Sequence, residues 1–317
     1  MLIGLCGTTC SGKHVVASYL TRSYGCIPIY YRPQNTKPDQ DHTFGTIEGL
    51  VNFVTKRWQR NYVLERITYD HVLEALSKRP FFLLVSIDAP VSLRWERLLA
   101  SGRSGTESTA SSFETFVSQS DVQMYHPTDG LARLMTEAQV KLINSADHLD
   151  TLYAAIDRLN LLDESRLRPS WDQYFMQLAS LAAQRSNCMK RRVGAVLVRE
   201  KRVVSTGYNG TPRGLKNCNH GGCARCNDGQ GTGAALSTCL CLHAEENALL
   251  EAGRERIREG TILYCDTIKI TQVGISEVVY SQGYSMDRET ATILQEGGVK
   301  LRQFSPPRRG LVCLGDS

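Results

Sequence analysis

Residues 239–253, CLCLHAEENALLEAG, contain the motif on which the interpretation of this chain depends. Apolar residues recur at helical spacing from Ala244 onward, and Gly253 is a residue type that commonly ends a helix. The stretch therefore predicts a helix that begins with His243 and Glu245 in its first turn. An imidazole and a carboxylate placed there can share one pocket, where the imidazole binds a metal ion and the carboxylate transfers protons.

Elements of alternating type surround this helix. Upstream, Ser170 followed by Gln173 has the pattern of a capping box at a helix start. Short apolar runs predict strands at 193–198, 203–208, 261–265, 277–281 and 299–304. Strands that alternate with helices imply an α/β fold with a layered sheet.

The N-terminus carries a second motif. An apolar run at residues 2–6 predicts a strand, and Gly7-x-x-x-x-Gly12-Lys13 follows it before a helical pattern. Strand, glycine loop and helix are the context of a phosphate-binding loop, so Gly7, Gly12 and Lys13 are candidate phosphate ligands. His14 replaces the Ser or Thr whose hydroxyl would hold Mg²⁺, which disfavours kinase activity. The alternative is a loop that only packs the domain.

The length of 317 residues suits two domains. The polar segment 163–169 predicts a boundary, with a P-loop-like α/β domain at 1–165 and a second α/β domain at 166–317. The Ser-, Thr- and Gly-rich residues 101–120 predict a loop.

Composition excludes several classes of protein. The net charge of +5 suits an anionic substrate, but no basic strip interleaved with aromatic residues predicts a nucleic-acid partner. The chain has no membrane-length apolar segment and no signal-peptide pattern at its start, so we expect no membrane partner and a cytoplasmic protein, with the nucleus as a second location.

Cysteines are unevenly distributed. Of the 11, six lie between Cys188 and Cys241, including the pairs Cys223-x-x-Cys226 and Cys239-x-Cys241. In an intracellular protein such spacing favours a metal site over disulfides. The alternative is a loop of reduced thiols without metal.

Several segments together resemble one family. The segment 243–248 is preceded by Arg-Ser-Asn-Cys at 185–188 and Gly-Tyr-Asn-Gly-Thr-Pro at 207–212, and is followed by 274–280. In this order they resemble the deoxycytidylate (dCMP) deaminases, a branch of the zinc-dependent cytidine/deoxycytidylate deaminases, over residues 170–305. The whole chain resembles the fungal form, which has a kinase-like N-terminal extension.

The resemblance implies a three-layer α/β/α second domain that hydrolyses dCMP to dUMP for thymidylate synthesis. It implies His243 as a catalytic zinc ligand, Glu245 as the proton shuttle, Asn209 as a sugar contact and Tyr284 as a neighbour of the pyrimidine. It also implies a homo-oligomer with dCTP and dTTP as effectors, for which Gly210 and Arg213 are candidate contacts. A second, structural zinc ion is expected on cysteines of the cluster: Cys188, Cys218, Cys226 and Cys241.

One departure from the family concerns the catalytic metal. The family supplies two further zinc ligands from a Pro-Cys-x-x-Cys turn soon after the strand that ends here at Cys265. In this chain Thr267 passes directly into Ile268, and the flanks on both sides match the family, so a short block is missing. One histidine is too few ligands for tetrahedral zinc. A displaced splice boundary and a true inactivating deletion would both produce this pattern.

Three other functions stay open at this point. A catalytically inactive, nucleotide-binding or regulatory homologue is favoured by the missing turn. A nucleotide kinase acting through the N-terminal domain is disfavoured by His14. A nucleic-acid deaminase has the required chemistry, but the Gly-Tyr-Asn-Gly context resembles the branch that acts on free nucleotides.

Overall fold

The computed structural model describes residues 1–33, 42–101, 112–231, 234–265, 275–281, 296, 298–305 and 310–313. They form two units. The first comprises residues 1–168 and the C-terminal strand, and the second lies within residues 169–306. No helix in these ranges is both long enough and apolar enough to cross a membrane.

The first unit contains a parallel sheet of seven strands in the order β12-β6-β5-β1-β4-β2-β3. The strands, numbered along the chain, are β1 Leu2–Gly7, β2 Ile27–Tyr31, β3 Thr43–Phe44, β4 Tyr62–Leu64, β5 Phe82–Asp88, β6 Val140–Ile143 and β12 Gly310–Cys313.

Seven helices belong to the described part of this unit: α1 Lys13–Tyr24, α2 Ile47–Lys56, α3 Asp70–Ser77, α4 Val91–Ala100, α5 Phe113–Tyr125, α6 Leu131–Glu137 and α7 Leu149–Leu159. Alternate residues of β1 enter opposite cores, with Ile3 packing in a cluster with α1 and α7, and Leu2 in one with α2, α3 and α6. Both faces of the sheet are therefore covered, as parallel sheets require.

The second unit has a five-stranded sheet in the order β11-β10-β9-β7-β8. Strand β7 is antiparallel to β8 and β9, whereas β9, β10 and β11 are mutually parallel. Its elements are α8 Trp171–Ala183, β7 Gly194–Arg199, β8 Arg202–Tyr208, α9 Ala224–Asn227, α10 Ala244–Ala252, β9 Ile262–Cys265, β10 Glu277–Tyr280 and β11 Lys300–Gln303.

Helices cover both faces of this second sheet. Ala195 and Leu197 of β7 pack with α10, whereas Val196 and Val198 pack with α8. At the start of α8, the Ser170 hydroxyl accepts a hydrogen bond from the Gln173 amide at 3.2 Å, at the helix start predicted from the sequence. The described residues confirm the predicted α/β fold class and the three-layer arrangement of the second unit.

Two sequence-based expectations differ from the structure. The units separate after Arg168, within the polar segment 163–169 where the boundary was expected, but Gly310–Cys313, expected in the second domain, pairs in parallel with Val140–Ile143 of the first. The loop expected over 101–120 is wrong in its second half. Helix α5 begins there, because the Ser112 hydroxyl accepts a hydrogen bond from the Thr115 amide at 3.3 Å and Phe116 is buried.

Candidate active site and cysteine cluster

Helix α10 lies directly against the end of β8. A Cβ atom at Gly207 would stand only 2.0 Å from the carbonyl oxygen of Ala244 and 2.5 Å from the amide nitrogen of Ala248. Only a residue without a side chain permits this approach. The Asn247 amide then donates a hydrogen bond to the carbonyl oxygen of Tyr208 at 2.7 Å. The first turn of α10 is thereby fixed on the sheet.

The predicted catalytic pair lies at this end of α10. His243 is exposed and immediately precedes the helix, whose first turn is capped because the Glu246 carboxylate accepts a hydrogen bond from the His243 amide at 3.2 Å. Glu245, two residues later in the same turn, is buried and only 2% exposed. A buried carboxylate beside an accessible imidazole is the arrangement expected of a proton shuttle next to a ligand.

The strand register aligns the end of β9 with the first turn of α10. Cys265 pairs with Ala195, and Ala195 pairs with Gly207, against which the first turn of α10 packs. Cys265 and Ala244 belong to one buried cluster. The chain therefore leaves β9 at the sheet level of the first turn of α10.

The described residues do not complete a metal site around His243. Two groups of converging metal-ligand atoms occur among them, and neither includes His243. Thr267, after which the resemblance led us to expect a missing ligand turn, lies outside the described residues, and so does Tyr284. With one histidine, the residues at hand do not fit a tetrahedral zinc ion.

Asn209 has its side-chain amide engaged by its own chain. The oxygen accepts hydrogen bonds from the Val193 amide at 2.8 Å and the Ser186 hydroxyl at 2.7 Å. The nitrogen donates to the carbonyl oxygen of Arg191 at 2.8 Å. These bonds hold the turn between α8 and β7, and a sugar contact of Asn209 stays a prediction.

The candidate effector residues adjoin the same helix end. Gly210 exchanges backbone hydrogen bonds with Leu242, the residue before His243, at 3.2 and 2.9 Å. A Cβ atom at Gly210 would meet the Asn187 side chain at 2.5 Å, which explains the glycine. Arg213 is exposed three residues later.

The cysteine cluster contains two more residues than the four assigned as zinc ligands. Six cysteines pack together, three of them fully or nearly buried: Cys188, Cys218, Cys223, Cys226, Cys239 and Cys241. The four predicted zinc ligands form one of the converging groups, with all sulfur atoms within 4.8 Å of one another. Cys223 and Cys239 form a second group with Cys226 and Cys241. The spacing of Cys223 and Cys239 in the sequence is typical of metal ligands, but we did not assign these two residues to the zinc site.

The thiols of this cluster differ in acidity. Burial raises the pKa of Cys223, but backbone hydrogen bonds, including one from the Leu240 amide at 3.4 Å, outweigh it and bring the pKa to about 6. Burial and neighbouring cysteines raise the pKa of Cys226 and that of Cys241. The cluster therefore combines groups that ionise readily with groups that need a cation to do so.

The glycine loop of the first unit lies between β1 and α1. Gly7 and Gly12 have positive φ angles of 137° and 101°, and a Cβ at Gly7 would lie 1.9 Å from the carbonyl oxygen of Ile87. The Lys13 ammonium donates hydrogen bonds to the carbonyl oxygens of Gly7 at 3.0 Å and Thr8 at 2.5 Å. Burial, and then the charge of Arg66, lowers the pKa of Lys13 to about 8.

A cavity of about 670 Å³ opens over this loop. Arg66 and Arg97 line it together with Lys13, and neither arginine belongs to a local motif that sequence analysis could have used. His14 also lines it, and its Nδ1 lies 2.8 Å from a carboxylate oxygen of Glu65. Three cationic side chains and two carboxylates, those of Glu65 and Asp147, therefore line the cavity. In the sequence, His14 takes the place of the residue whose hydroxyl would bind Mg²⁺.

Comparisons with known proteins give one family match within the second unit and two relatives that match most of the chain. Residues 169–281 match the model of the cytidine and deoxycytidylate deaminase zinc-binding region. The chain is 46% identical over 322 residues to a deoxycytidylate deaminase of Schizosaccharomyces pombe, covering 98% of this chain and 99% of the relative. It is 47% identical over 277 residues to a deoxycytidylate deaminase of Saccharomyces cerevisiae, covering 81% of this chain and 86% of the relative.

A solved structure is also similar. It is a dCMP deaminase of the cyanophage S-TIM5 in complex with dCMP and dUMP, which is 28% identical. The match covers 43% of this chain and 98% of the phage chain, with a TM-score of 0.36.

Proposed function

This chain belongs to the deoxycytidylate deaminase family, and we propose that its reaction is the hydrolytic deamination of dCMP to dUMP. Two fungal deoxycytidylate deaminases support this proposal, with 46% and 47% identity over most of the chain. The kinase and nucleic-acid deaminase interpretations have no comparable support among these relatives, and no relative named above is a regulatory homologue, so we attribute any loss of activity to the missing turn alone.

The observation that carries the proposal is the first turn of α10. Its geometry pairs an accessible imidazole at His243 with a carboxylate at Glu245 that is 2% exposed, and the end of β9 lies at the same sheet level. A carboxylate held out of water keeps a fixed position, so it can take a proton from attacking water and deliver it to the departing amine. Glu245 is the residue to which we assign this role.

We propose that deamination requires the ligand turn that is missing from this chain. In this chain Thr267 passes directly into Ile268, without the Pro-Cys-x-x-Cys turn expected from the family resemblance. The family model names a zinc-binding region, but His243 alone does not fit the ion. We therefore expect deamination from a chain that contains a Pro-Cys-x-x-Cys turn after Thr267, and none from the sequence as it stands.

Zinc is also proposed for the cysteine cluster. The structural ion assigned from the family resemblance would use the converging thiols of Cys188, Cys218, Cys226 and Cys241. All eleven cysteines lie within the described residues, and none of them forms a disulfide.

Two regulatory and binding functions complete the proposal. dCTP and dTTP would act near Gly210 and Arg213 in a homo-oligomer, a role supported by the bridge from Gly210 to the residue before His243. The N-terminal loop would bind a phosphate group at Lys13 without transferring it, because His14 supplies no hydroxyl for Mg²⁺. ATP-dependent phosphorylation of dCMP that disappears in Lys13→Ala would contradict this assignment.

Glu245→Gln tests the catalytic assignment in a chain with the turn restored. Because the carboxylate moves protons and is not a metal ligand, the substitution should leave zinc content unchanged and lower dCMP turnover by about 10²–10⁴. Glu246→Gln is the matched control, since glutamine also caps a helix and should preserve turnover within about threefold. Turnover of Glu245→Gln within tenfold of the parent would remove Glu245 from this role.

A further inference from the structure

We propose that the six cysteines between Cys188 and Cys241 bind two zinc ions, one in each converging group, with Cys226 and Cys241 bridging both. The structural ion discussed above needs only four of these thiols. The inference goes beyond the deamination reaction and does not depend on it.

The two groups share two members. Cys188 and Cys218 complete the first group, and Cys223 and Cys239 complete the second. Within each group the sulfur atoms lie within 4.8 Å of one another. Two ZnS₄ tetrahedra that share one edge contain six sulfur atoms in this way. Each zinc ion would have four thiolate ligands, and the two thiolates on the shared edge would each bind both ions.

The sulfur separations agree with zinc coordination. A tetrahedral ion with Zn–S bonds of about 2.3 Å has S···S edges of about 3.8 Å. The sulfur of Cys226 lies 3.7 Å from that of Cys188, 4.0 Å from that of Cys239 and 3.9 Å from that of Cys241. Disulfide bonds, at about 2.05 Å, do not account for these contacts.

The cluster has the surroundings of bound thiolates. Backbone amides point at two of its sulfur atoms, from Met189 to Cys218 and from Leu240 to Cys223, both at 3.4 Å. The buried Arg225 guanidinium lies 3.6 Å from the Cys239 sulfur. Two zinc ions with six thiolates carry a formal charge of roughly −2, which such donors and cations offset.

The segment between β8 and α10 has little regular secondary structure to stabilise it. Between β8 and α10 the longest described helix is α9, with four residues, and Leu215 and Leu240 are exposed at 52% and 47%. A segment without an apolar core of its own depends on crosslinks for its fold. Two zinc ions bound to six thiolates would supply several such crosslinks, which favours binding of zinc by both groups.

The first measurement is zinc per chain by native mass spectrometry on the full chain purified under reducing conditions. Two ions are expected. Cys223→Ser and Cys239→Ser should each leave one ion in the first group, whereas Cys313→Ser, outside the cluster, should leave two. His243→Ala should also leave two, because neither ion uses that histidine; a fall to one would overturn the proposal. A stoichiometry of one in the parent chain would overturn it as well.

Cobalt substitution gives a second, magnetic readout of the bridged pair. Thiolate bridges couple the spins of two Co²⁺ ions, so the magnetic moment per cobalt of the loaded parent chain should be lower than that of Cys223→Ser, which holds one. Equal moments in the two proteins would show that no bridged pair forms. Failure of dCMP turnover would leave both measurements unaffected, so the two proposals fail separately.

Discussion

Lys13 combines a sequence motif with an environment that the sequence did not reveal. The glycine loop indicated a phosphate ligand, but burial and the charge of Arg66 are what lower its pKa to about 8. Arg66 comes from a separate part of the chain and lines the same cavity. The sequence therefore predicted Lys13 as a phosphate ligand. It did not predict the lowered pKa of Lys13, because that pKa depends on residues distant in the sequence.

This pKa predicts a pH dependence for anion binding. Below pH 8 the Lys13 amine is an ammonium and attracts an anion; above it, the amine becomes neutral and the attraction is lost. Sulfate keeps its charge over this range and is a suitable probe. Its affinity, measured by titration calorimetry, should be about tenfold weaker one pH unit above 8 than one unit below.

Two variants control this titration. Lys13→Ala should bind sulfate weakly at every pH, and Lys13→Arg should bind it without pH dependence, because a guanidinium does not deprotonate in this range. Sulfate affinity in the parent chain that stays constant through pH 8 would show that Lys13 is not the anion ligand.

At the scale of elements, local signals were reliable where a helix start is coded by neighbouring residues. Ser170 with Gln173 marks a helix start that the structure contains, and the helix predicted from the apolar spacing after His243 begins at Ala244. The start of α5 at Phe113 was missed, because its Ser112 cap lies within a Ser- and Thr-rich segment that is equally typical of a loop. Composition alone did not separate a cap from a loop.

The packing of α10 on β8 leads to a prediction about Gly207. In Gly207→Ala the new methyl group would lie 2.0 Å from the Ala244 carbonyl oxygen, so helix and strand must separate. Overpacking of this kind should lower the free energy of unfolding by about 1–3 kcal/mol, measured by urea denaturation. The matched control is Gly231→Ala, where a Cβ atom meets nothing within 4 Å and we expect a change within about 0.5 kcal/mol. Equal effects of the two substitutions would contradict the assigned contact.

At the scale of the whole molecule, the sequence predicted the fold class and both motifs, whereas long-range contacts escaped it. Strand β12 pairs with Val140–Ile143 across more than half of the chain, and nothing in Gly310–Cys313 specifies that partner. The six-thiol cluster is similar, since spacing marked all six cysteines as candidates but not which sulfur atoms converge around Cys226. Such contacts depend on the folded path of the chain between the motifs.

The central claim is that this chain has the deamination site of its family except for the ligand turn after Thr267. The most direct test measures dCMP conversion to dUMP, with zinc per chain, in the chain as it stands and in one with a Pro-Cys-x-x-Cys turn inserted there. We expect no conversion in the first, and in the second both conversion and one additional zinc ion, because His243 then gains two thiolate partners. Full activity of the chain without the turn, or an inserted turn that adds neither zinc nor activity, would contradict the account.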